Sequence, residues 1–260
     1  MVTYLDKILA AHRAEAASGP SRPLGKLVDQ ARAQPPARGF RRALAESGGL
    51  GVISEIKRRS PSKGEINPGV EVGPWAAAYE RGGASCLSVL TDQDFFGGSP
   101  HDLAEARAAV SLPALRKDFT VTAADVCDAR IMGADAVLLI VAALDDVELV
   151  DFHQLAEEIG LDVLVETHDE MEVDRALAVG ATLIGVNQRD LTTFEVDQAR
   201  AVRVAASLPD HVVRVAESGV RGPADAATLA AAGYHAVLVG ESLMISGDPA
   251  AAVAELRAAG

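Results

Sequence analysis

Gly133-Ala134-Asp135-Ala136-Val137-Leu138-Leu139-Ile140 is the stretch that sets the reading of the whole chain. A glycine placed after a helical pattern takes the left-handed conformation, ends the helix and releases the backbone into the next element. That element is a short run with no polar face, as expected of a parallel strand covered on both sides. The same grammar returns at Gly82-Gly83-Ala84 before residues 85–90, at Gly160 before 162–165, at Gly180 before 182–186 and at Gly233 before 235–239. Runs at 51–56, 114–116 and 212–216 bring the strands to eight, each succeeded by a helical pattern. Strict alternation of strand and helix means a parallel sheet. Eight units in 260 residues predict a closed (β/α)8 TIM barrel rather than an open doubly wound sheet. The chain contains neither a dinucleotide glycine fingerprint nor a phosphate-loop lysine motif to argue otherwise.

Composition supports a large core of unusual make-up. Hydrophobic residues are 49% of the chain and aromatics only 4%, so Val, Leu, Ile and Ala must fill it. The net charge of −13 speaks against non-specific nucleic-acid binding, which needs a basic field, but not against a small anion that feels local charges. Cys86 and Cys127 have no metal or redox spacing and read as small buried hydrophobes in a reducing compartment. The first residues include Asp6, Lys7, His12, Arg13 and Glu15, unlike a signal peptide, and the longest apolar run, 136–144, is too short for a bilayer. These features predict a soluble, cytoplasmic protein without a membrane partner.

Residues 1–48 lie outside the repeat. Tyr4, Leu5, Ile8 and Leu9 predict a short amphipathic helix, Gly19-Pro20 and Pro35-Pro36 punctuate the segment after it, and Phe40, Ala43 and Leu44 predict another helix. Too few residues are involved to build a core of their own, so 1–48 is read as a helical extension packed on the barrel of a single domain spanning 1–260.

In such barrels chemistry gathers at the C-terminal ends of the strands. The first strand ends in Glu55 and Lys57, two residues apart and therefore on the same side. The third runs into Lys117, the fifth into Glu166, the sixth into Asn187 and the seventh into Glu217-Ser218-Gly219, while the eighth runs into Gly240-Glu241-Ser242. Lys57 and Lys117 with the carboxylates Glu55, Glu166 and Glu217 on one rim either form an ion-pair ring that fixes the barrel or work on a ligand. Close charges of mixed sign also tune one another as acids and bases. Small residues with free backbone N–H groups after the last two strands suggest a phosphate site at Ser218, Gly219, Gly240 and Glu241. The basic, proline-stiffened segment 57–64, Lys-Arg-Arg-Ser-Pro-Ser-Lys-Gly, sits where it could capture an anion or simply be solvated.

Residues 52–62, Val-Ile-Ser-Glu-Ile-Lys-Arg-Arg-Ser-Pro-Ser, resemble the signature of the indole-3-glycerol phosphate synthase family of tryptophan biosynthesis. Arg116-Lys117-Asp118-Phe119, Val165-Glu166-Thr167-His168, Asn187-Gln188-Arg189-Asp190-Leu191, Ala216-Glu217-Ser218-Gly219 and Gly240-Glu241-Ser242-Leu243-Met244 are similar to further blocks of that family, in its order. Gln188 stands where an asparagine is frequent. The likeness runs from about residue 50 to the end. It implies ring closure, decarboxylation and dehydration of 1-(2-carboxyphenylamino)-1-deoxyribulose 5-phosphate, with no cofactor and no metal. It further implies Lys117 as general acid, Lys57 near the substrate carboxylate, and Glu166, with Glu55, in proton transfer. Asn187 and Glu217 would hold the amine and sugar hydroxyls, with Ser60 and Arg189 also on the substrate. Ser218, Gly219, Gly240 and Glu241 would hold phosphate, and Phe96, Phe119 and Leu138 would line an aromatic pocket. A carbonyl attacked by a weak carbon nucleophile needs an acid, and a lysine is useful there if neighbouring cations or burial lower its pKa.

Two alternatives stand beside this reading. One is another sugar-phosphate barrel enzyme, such as an isomerase resembling phosphoribosylanthranilate isomerase, which would not need Glu55, Lys57 and Lys117 together. The other is a catalytically silent barrel that binds a phosphorylated metabolite. His12, His101, His153, His168, His211 and His235 show no paired metal-ligand spacing. His168 reads as a helix-start residue or a partner of the site, and Arg189 as either a surface arginine or a salt-bridge partner there. A monomer is expected, with docking to other enzymes of the pathway left open.

Overall fold

The computed structural model describes residues 3–260. Eight parallel strands, labelled β1–β8 in chain order, close into a barrel: Gly51–Ile56, Cys86–Leu90, Ala114–Lys117, Ala136–Ile140, Asp162–Thr167, Leu183–Asn187, Val213–Glu217 and Ala236–Val239. Spatial order matches chain order, and the ring closes through β1, whose Gly51 pairs with Ala236 and whose Ile53 pairs with Cys86. The glycines expected to end helices do so: φ is 86° at Gly83, 90° at Gly133, 82° at Gly160, 84° at Gly180 and 89° at Gly233.

The expected strands differ from the observed ones at their ends, in one direction. β3, β5, β6 and β7 run on to Lys117, Thr167, Asn187 and Glu217, beyond the last apolar residue that marks a buried strand in sequence. Polar residues keep their place in the ladder there, as in the pairs Ile140 with Glu166 and Asn187 with Glu217. The polar ends of the strands are the parts that face the barrel mouth.

Strand periodicity decides which side chains face inward. Ile53, Cys86, Leu115, Leu138, Leu164, Leu183, Val215 and Leu238 fill the barrel interior, together with Phe40 and Leu44. Val52, Leu87, Val137, Leu139, Val163 and Val165 belong to the outer core beneath the helices. Stepping by two from the inner set gives Glu55 and Lys57, then Lys117, Glu166, Asn187 and Glu217. Their inward direction is therefore a consequence of the alternation that builds the core.

The first fifty residues form three helices: α1 (Tyr4–Ser18), α2 (Leu24–Arg32) and α3 (Phe40–Ala45). Helix α1 is longer than the four apolar residues suggested and starts with a capping box between Thr3 and Asp6. It is tied to the mouth by His12 to Asp92 at 2.8 Å and Arg13 to Glu148 at 2.7 Å. Helix α2, not among the expected elements although Leu24, Leu27, Val28 and Ala31 recur at helical spacing, packs on the helix Ala123–Ile131, aided by Arg22 to Asp128 at 2.7 Å. Helix α3 sends Phe40 and Leu44 into the barrel interior. Among the described residues no helix is long and apolar enough to cross a membrane.

Candidate active site

A cavity of about 920 Å³ opens at the C-terminal end of the barrel. Its wall includes Glu55, Lys57, Lys117, Glu166 and Asn187. It also includes Ser60, Phe96, Phe119, Leu138, Arg189 and Glu217, and Ser218, Gly219, Gly240 and Glu241. Residues that are up to 186 positions apart, Glu55 and Glu241, thus share one chamber. Every residue assigned to catalysis, substrate or phosphate from sequence lies on it.

The four odd-numbered strands each supply one charged residue: Glu55, Lys117, Glu166 and Glu217. This agrees with the layering of such barrels, in which alternate strands fill a layer. The even-numbered strands make room. A Cβ at Gly185 on β6 would collide with Glu217 Oε1, and one at Gly240 after β8 would collide with Glu55 Oε1. Gly185 has no signal in the sequence except its place two residues before Asn187 on the inward side. Gly240, expected only as a phosphate contact, also houses a carboxylate.

Lys57 Nζ donates to Glu55 Oε1 at 2.5 Å, and Ser88 Oγ donates to Glu55 Oε2 at 3.2 Å. Lys117 Nζ donates to Glu166 Oε2 at 3.3 Å and lies 3.9 Å from Glu217 Oε2. Asn187 Nδ2 donates to Glu166 Oε1 at 3.0 Å, and its own Oδ1 accepts the Arg189 backbone N–H at 3.0 Å. Glu217 Oε1 is buried with no protein partner.

These contacts set the charges. Burial works against the ammonium of Lys117, but Glu166, Glu217 and Glu55 outweigh it and hold its pKa above the ordinary lysine value. The condition of neighbouring cations is thus not met at Lys117, whose nearest charges are carboxylates. Burial pushes Glu166 up, but Lys117, His168 and the Asn187 amide pull it below the usual range. Glu55 is lowered too, with Lys57 and Lys117 overcoming burial. Glu217 goes the other way: burial, with the negative charge of Glu166 beside it, pushes its pKa well above the carboxylate range. Of the two close carboxylates, Glu217 is thus the one biased toward its protonated form and Glu166 toward its ionised form.

The apolar wall combines Leu138, Phe96 and Phe119, whose rings are 6.3 Å apart, with Tyr4, Leu5 and Ile8 of α1. The contribution of α1 had no signature beyond its hydrophobic stripe. At the opposite wall Ser218 and Gly219 have φ of 64° and 74°. Consecutive left-handed residues are rare outside glycine and mark a functional turn.

The basic segment 57–64 divides its charges. Lys57 and Lys63 line the cavity, the latter 3.3 Å from Glu241. Arg58 turns away to Asp102, with Nη2 to Oδ1 at 2.9 Å, and Arg59 donates to the carbonyls of Gln93 and Asp94. These two arginines brace the loop and do not face the chamber, so of the four cations of the segment only Lys57 and Lys63 are placed to meet an anion there. Arg189 Nη1 donates to the Phe194 carbonyl at 3.0 Å while lining the cavity.

Ligating atoms of His12, Asp92 and Asp118 lie within 4.8 Å of one another. Asp92 Oδ1 already accepts the backbone N–H groups of Phe95 and Phe96, and Asp118 Oδ2 accepts from Thr91 and from Arg116. The group is better suited to fastening α1 to the β2 and β3 loops than to holding a cation, since an arginine is already there.

Comparison with known proteins agrees with this geometry. The family model for indole-3-glycerol phosphate synthase matches residues 5–256. The chain is similar to the indole-3-glycerol phosphate synthase of Mycolicibacterium smegmatis, 50% identical over 99% of this chain and 95% of the relative. It is similar to that of Streptomyces griseus, 50% identical over 100% and 96%, and to that of Mycobacterium tuberculosis at the same identity over 99% and 95%. Among solved structures, a thiamine phosphate pyrophosphorylase from Pyrococcus furiosus superposes with a TM-score of 0.61 at 18% identity, covering 81% of this chain and 95% of that one. That likeness concerns the fold alone.

Proposed function

The chain belongs to the indole-3-glycerol phosphate synthase family, and from that premise we propose that it closes the indole ring as a carbon–carbon lyase. The substrate is 1-(2-carboxyphenylamino)-1-deoxyribulose 5-phosphate, and the products are indole-3-glycerol phosphate, carbon dioxide and water. The observation that carries this reading is the meeting of Lys57, Lys117, Glu55, Glu166, Asn187 and Glu217 in one chamber with an apolar wall.

Each feature of the chamber has a use in that reaction. The substrate phosphate rests against the loops of Ser218–Gly219 and Gly240–Glu241, far from the reacting carbons, so its binding energy orients them. The anthranilate ring lies against Phe96, Phe119 and Leu138. Lys117 is the general acid that protonates the ribulose carbonyl as the aromatic carbon attacks. Its raised pKa guarantees that it is charged, and the alkoxide forming beside it supplies the drive for transfer. Lys57 stands by the substrate carboxylate until carbon dioxide leaves.

Dehydration needs an acid for the departing hydroxyl, which Lys57 supplies once the carboxylate has gone, regaining its proton from solvent, and a base for the proton lost from the ring system. Glu166, ionised and in contact with Lys117, is the base and returns a proton to that lysine. Glu55 neutralises Lys57 between turnovers. Glu217 carries a proton and a free Oε1, so it donates to a substrate hydroxyl, while Asn187 orients Glu166 and the amine. The free thiols Cys86 and Cys127, both buried, support work in the reducing cytoplasm. The test is turnover by purified protein, read as indole fluorescence from the carboxyphenylamino-deoxyribulose phosphate. Product forming at a rate that collapses in Lys117→Ala supports the reading; absence of product with the wild-type protein refutes it.

A further inference from the structure

A second, smaller cleft of about 380 Å³ lies beside the active-site cavity, between the loops after β5 and β6. His168 lines it, one residue past the end of β5, and no step of the ring closure uses this residue. The backbone N–H of His168 donates to Glu172 Oε2 at 2.7 Å, and its Nδ1 lies 2.9 Å from the same oxygen. A carboxylate at Nδ1 fixes the ring with Nδ1–H donating, so Nε2 is aimed elsewhere by default. That atom points inward, 3.7 Å from Glu166 Oε1, and is buried with no hydrogen-bond partner.

We propose that His168 is a positioning residue that keeps Glu166, and not Glu217, as the ionised member of the buried carboxylate pair. The inference rests on the proposed ring closure and deepens it. Two carboxylates that share a proton are nearly equivalent chemically, so their surroundings decide which is charged. Glu166 has Lys117 at 3.3 Å and Asn187 at 3.0 Å, whereas Glu217 has the lysine only at 3.9 Å and an unpartnered oxygen. An imidazolium at Nε2 adds a further positive charge on the Glu166 side alone. With that charge in place the base is ready and Glu217 keeps the proton it donates.

The groups that face His168 make this arrangement responsive to pH. Glu172 on the helix Glu170–Ala178 and Glu166 favour the charged ring, Arg200 at the start of the helix Arg200–Val204 opposes it, and Asp190 from the loop between β6 and that helix partners Arg200 at 3.8 Å. Burial alone would lower the ring's pKa, but the two glutamates prevail and raise it above the ordinary histidine value. The imidazolium is thus present below that raised pKa and lost as pH climbs through it. The cleft gives the ring side contact with solvent, so it titrates with the bulk.

His168→Gln removes the charge and keeps a polar side chain of similar reach. The expected result is a fall in kcat of about tenfold at neutral pH with KM changed less than about twofold. The decline of wild-type kcat with pH through the histidine's ionisation should vanish, leaving a low, flat profile. Glu172→Gln, at the cleft, is the second variant: it weakens support for the imidazolium, so the same decline should begin at lower pH. In the protein without substrate, carbon-13 NMR of labelled glutamate carboxyls should show Glu166 ionised at neutral pH, and protonated in part once His168 is glutamine. That readout does not depend on turnover, so a wild-type enzyme without activity would overturn the proposed function while leaving this measurement to judge His168. Unchanged Glu166 titration in both variants, or a kcat loss with the wild-type pH profile intact, overturns the proposal.

Discussion

Two of the clusters of buried charge in the barrel, one near each end, are built on opposite principles. Near the N-terminal end, Asp135 is fully buried just before β4. One carboxylate oxygen accepts the Arg38 backbone N–H at 2.8 Å, and the other accepts the Ala114 N–H at 2.8 Å and the Arg107 guanidinium. Arg38 in turn donates to the carbonyls of Val110 and Leu112, both at 2.9 Å. Neither Asp135 oxygen is left over. At the mouth, by contrast, Glu217 Oε1 and His168 Nε2 are buried without partners, and three carboxylates share two lysines. A satisfied buried charge holds structure together, whereas unsatisfied buried groups are kept for a ligand or a proton. The same residue types serve stability at one end and chemistry at the other.

Mutation should separate the two ends. The largest effect is expected from Lys117→Ala, which removes the acid and should lower kcat by about 10²–10⁴-fold, while circular dichroism shows a folded barrel. Near-normal turnover in that variant would remove Lys117 from its role. Asp135→Ala should do the reverse. It strands Arg107 and the backbone donors of Arg38 and Ala114, at a cost of about 3–5 kcal/mol in unfolding free energy by urea titration, with kcat per folded molecule unchanged. If Asp135→Ala reduced kcat and spared stability, the division between the ends would fail.

Smaller effects sharpen the picture at the mouth. Ser218→Glu places a like charge beside the phosphate and should raise KM by about tenfold, with kcat nearly constant; unchanged KM would relocate the phosphate. The smallest expected effect is on the fastening of α1. His12 is raised in pKa, since its bond to Asp92 and the nearby Asp118 and Asp125 together outweigh burial. Its contribution to stability is therefore complete below the unfolded value and fades as pH rises through the folded one. His12→Gln should flatten that decline in melting temperature between mildly acidic and alkaline pH, and an unaltered pH dependence would show that His12 is not the titrating latch.

Much of this was legible in the residues, and for a physical reason. The glycines before 136–140 and its sister runs, with unbroken apolar strands, define the alternation of a parallel sheet, and eight such units close it into a barrel. Once Leu115 or Leu164 is known to face inward, Lys117 and Glu166 must do the same, because the period is two. Less legible was anything fixed by contact between distant segments. Gly185 looks like any strand glycine until Glu217 from the next strand needs its space. Arg58 looks like an anion ligand until Asp102 claims it. Helix α2 was legible as an amphipathic run of Leu24, Leu27, Val28 and Ala31, but that its partner is the helix Ala123–Ile131 is settled only in space. The direction of the Lys117 shift could not come from spacing either, since it depends on which signs surround the ammonium in space.

If the chamber's charges perform ring closure, the most direct test is to watch that reaction. Indole fluorescence is measured after mixing wild-type protein, and separately Lys117→Ala, with 1-(2-carboxyphenylamino)-1-deoxyribulose 5-phosphate. The prediction is a rise in signal with the wild type that the variant slows by at least about a hundredfold. No rise with the folded wild-type protein, or equal rises with both, would contradict it.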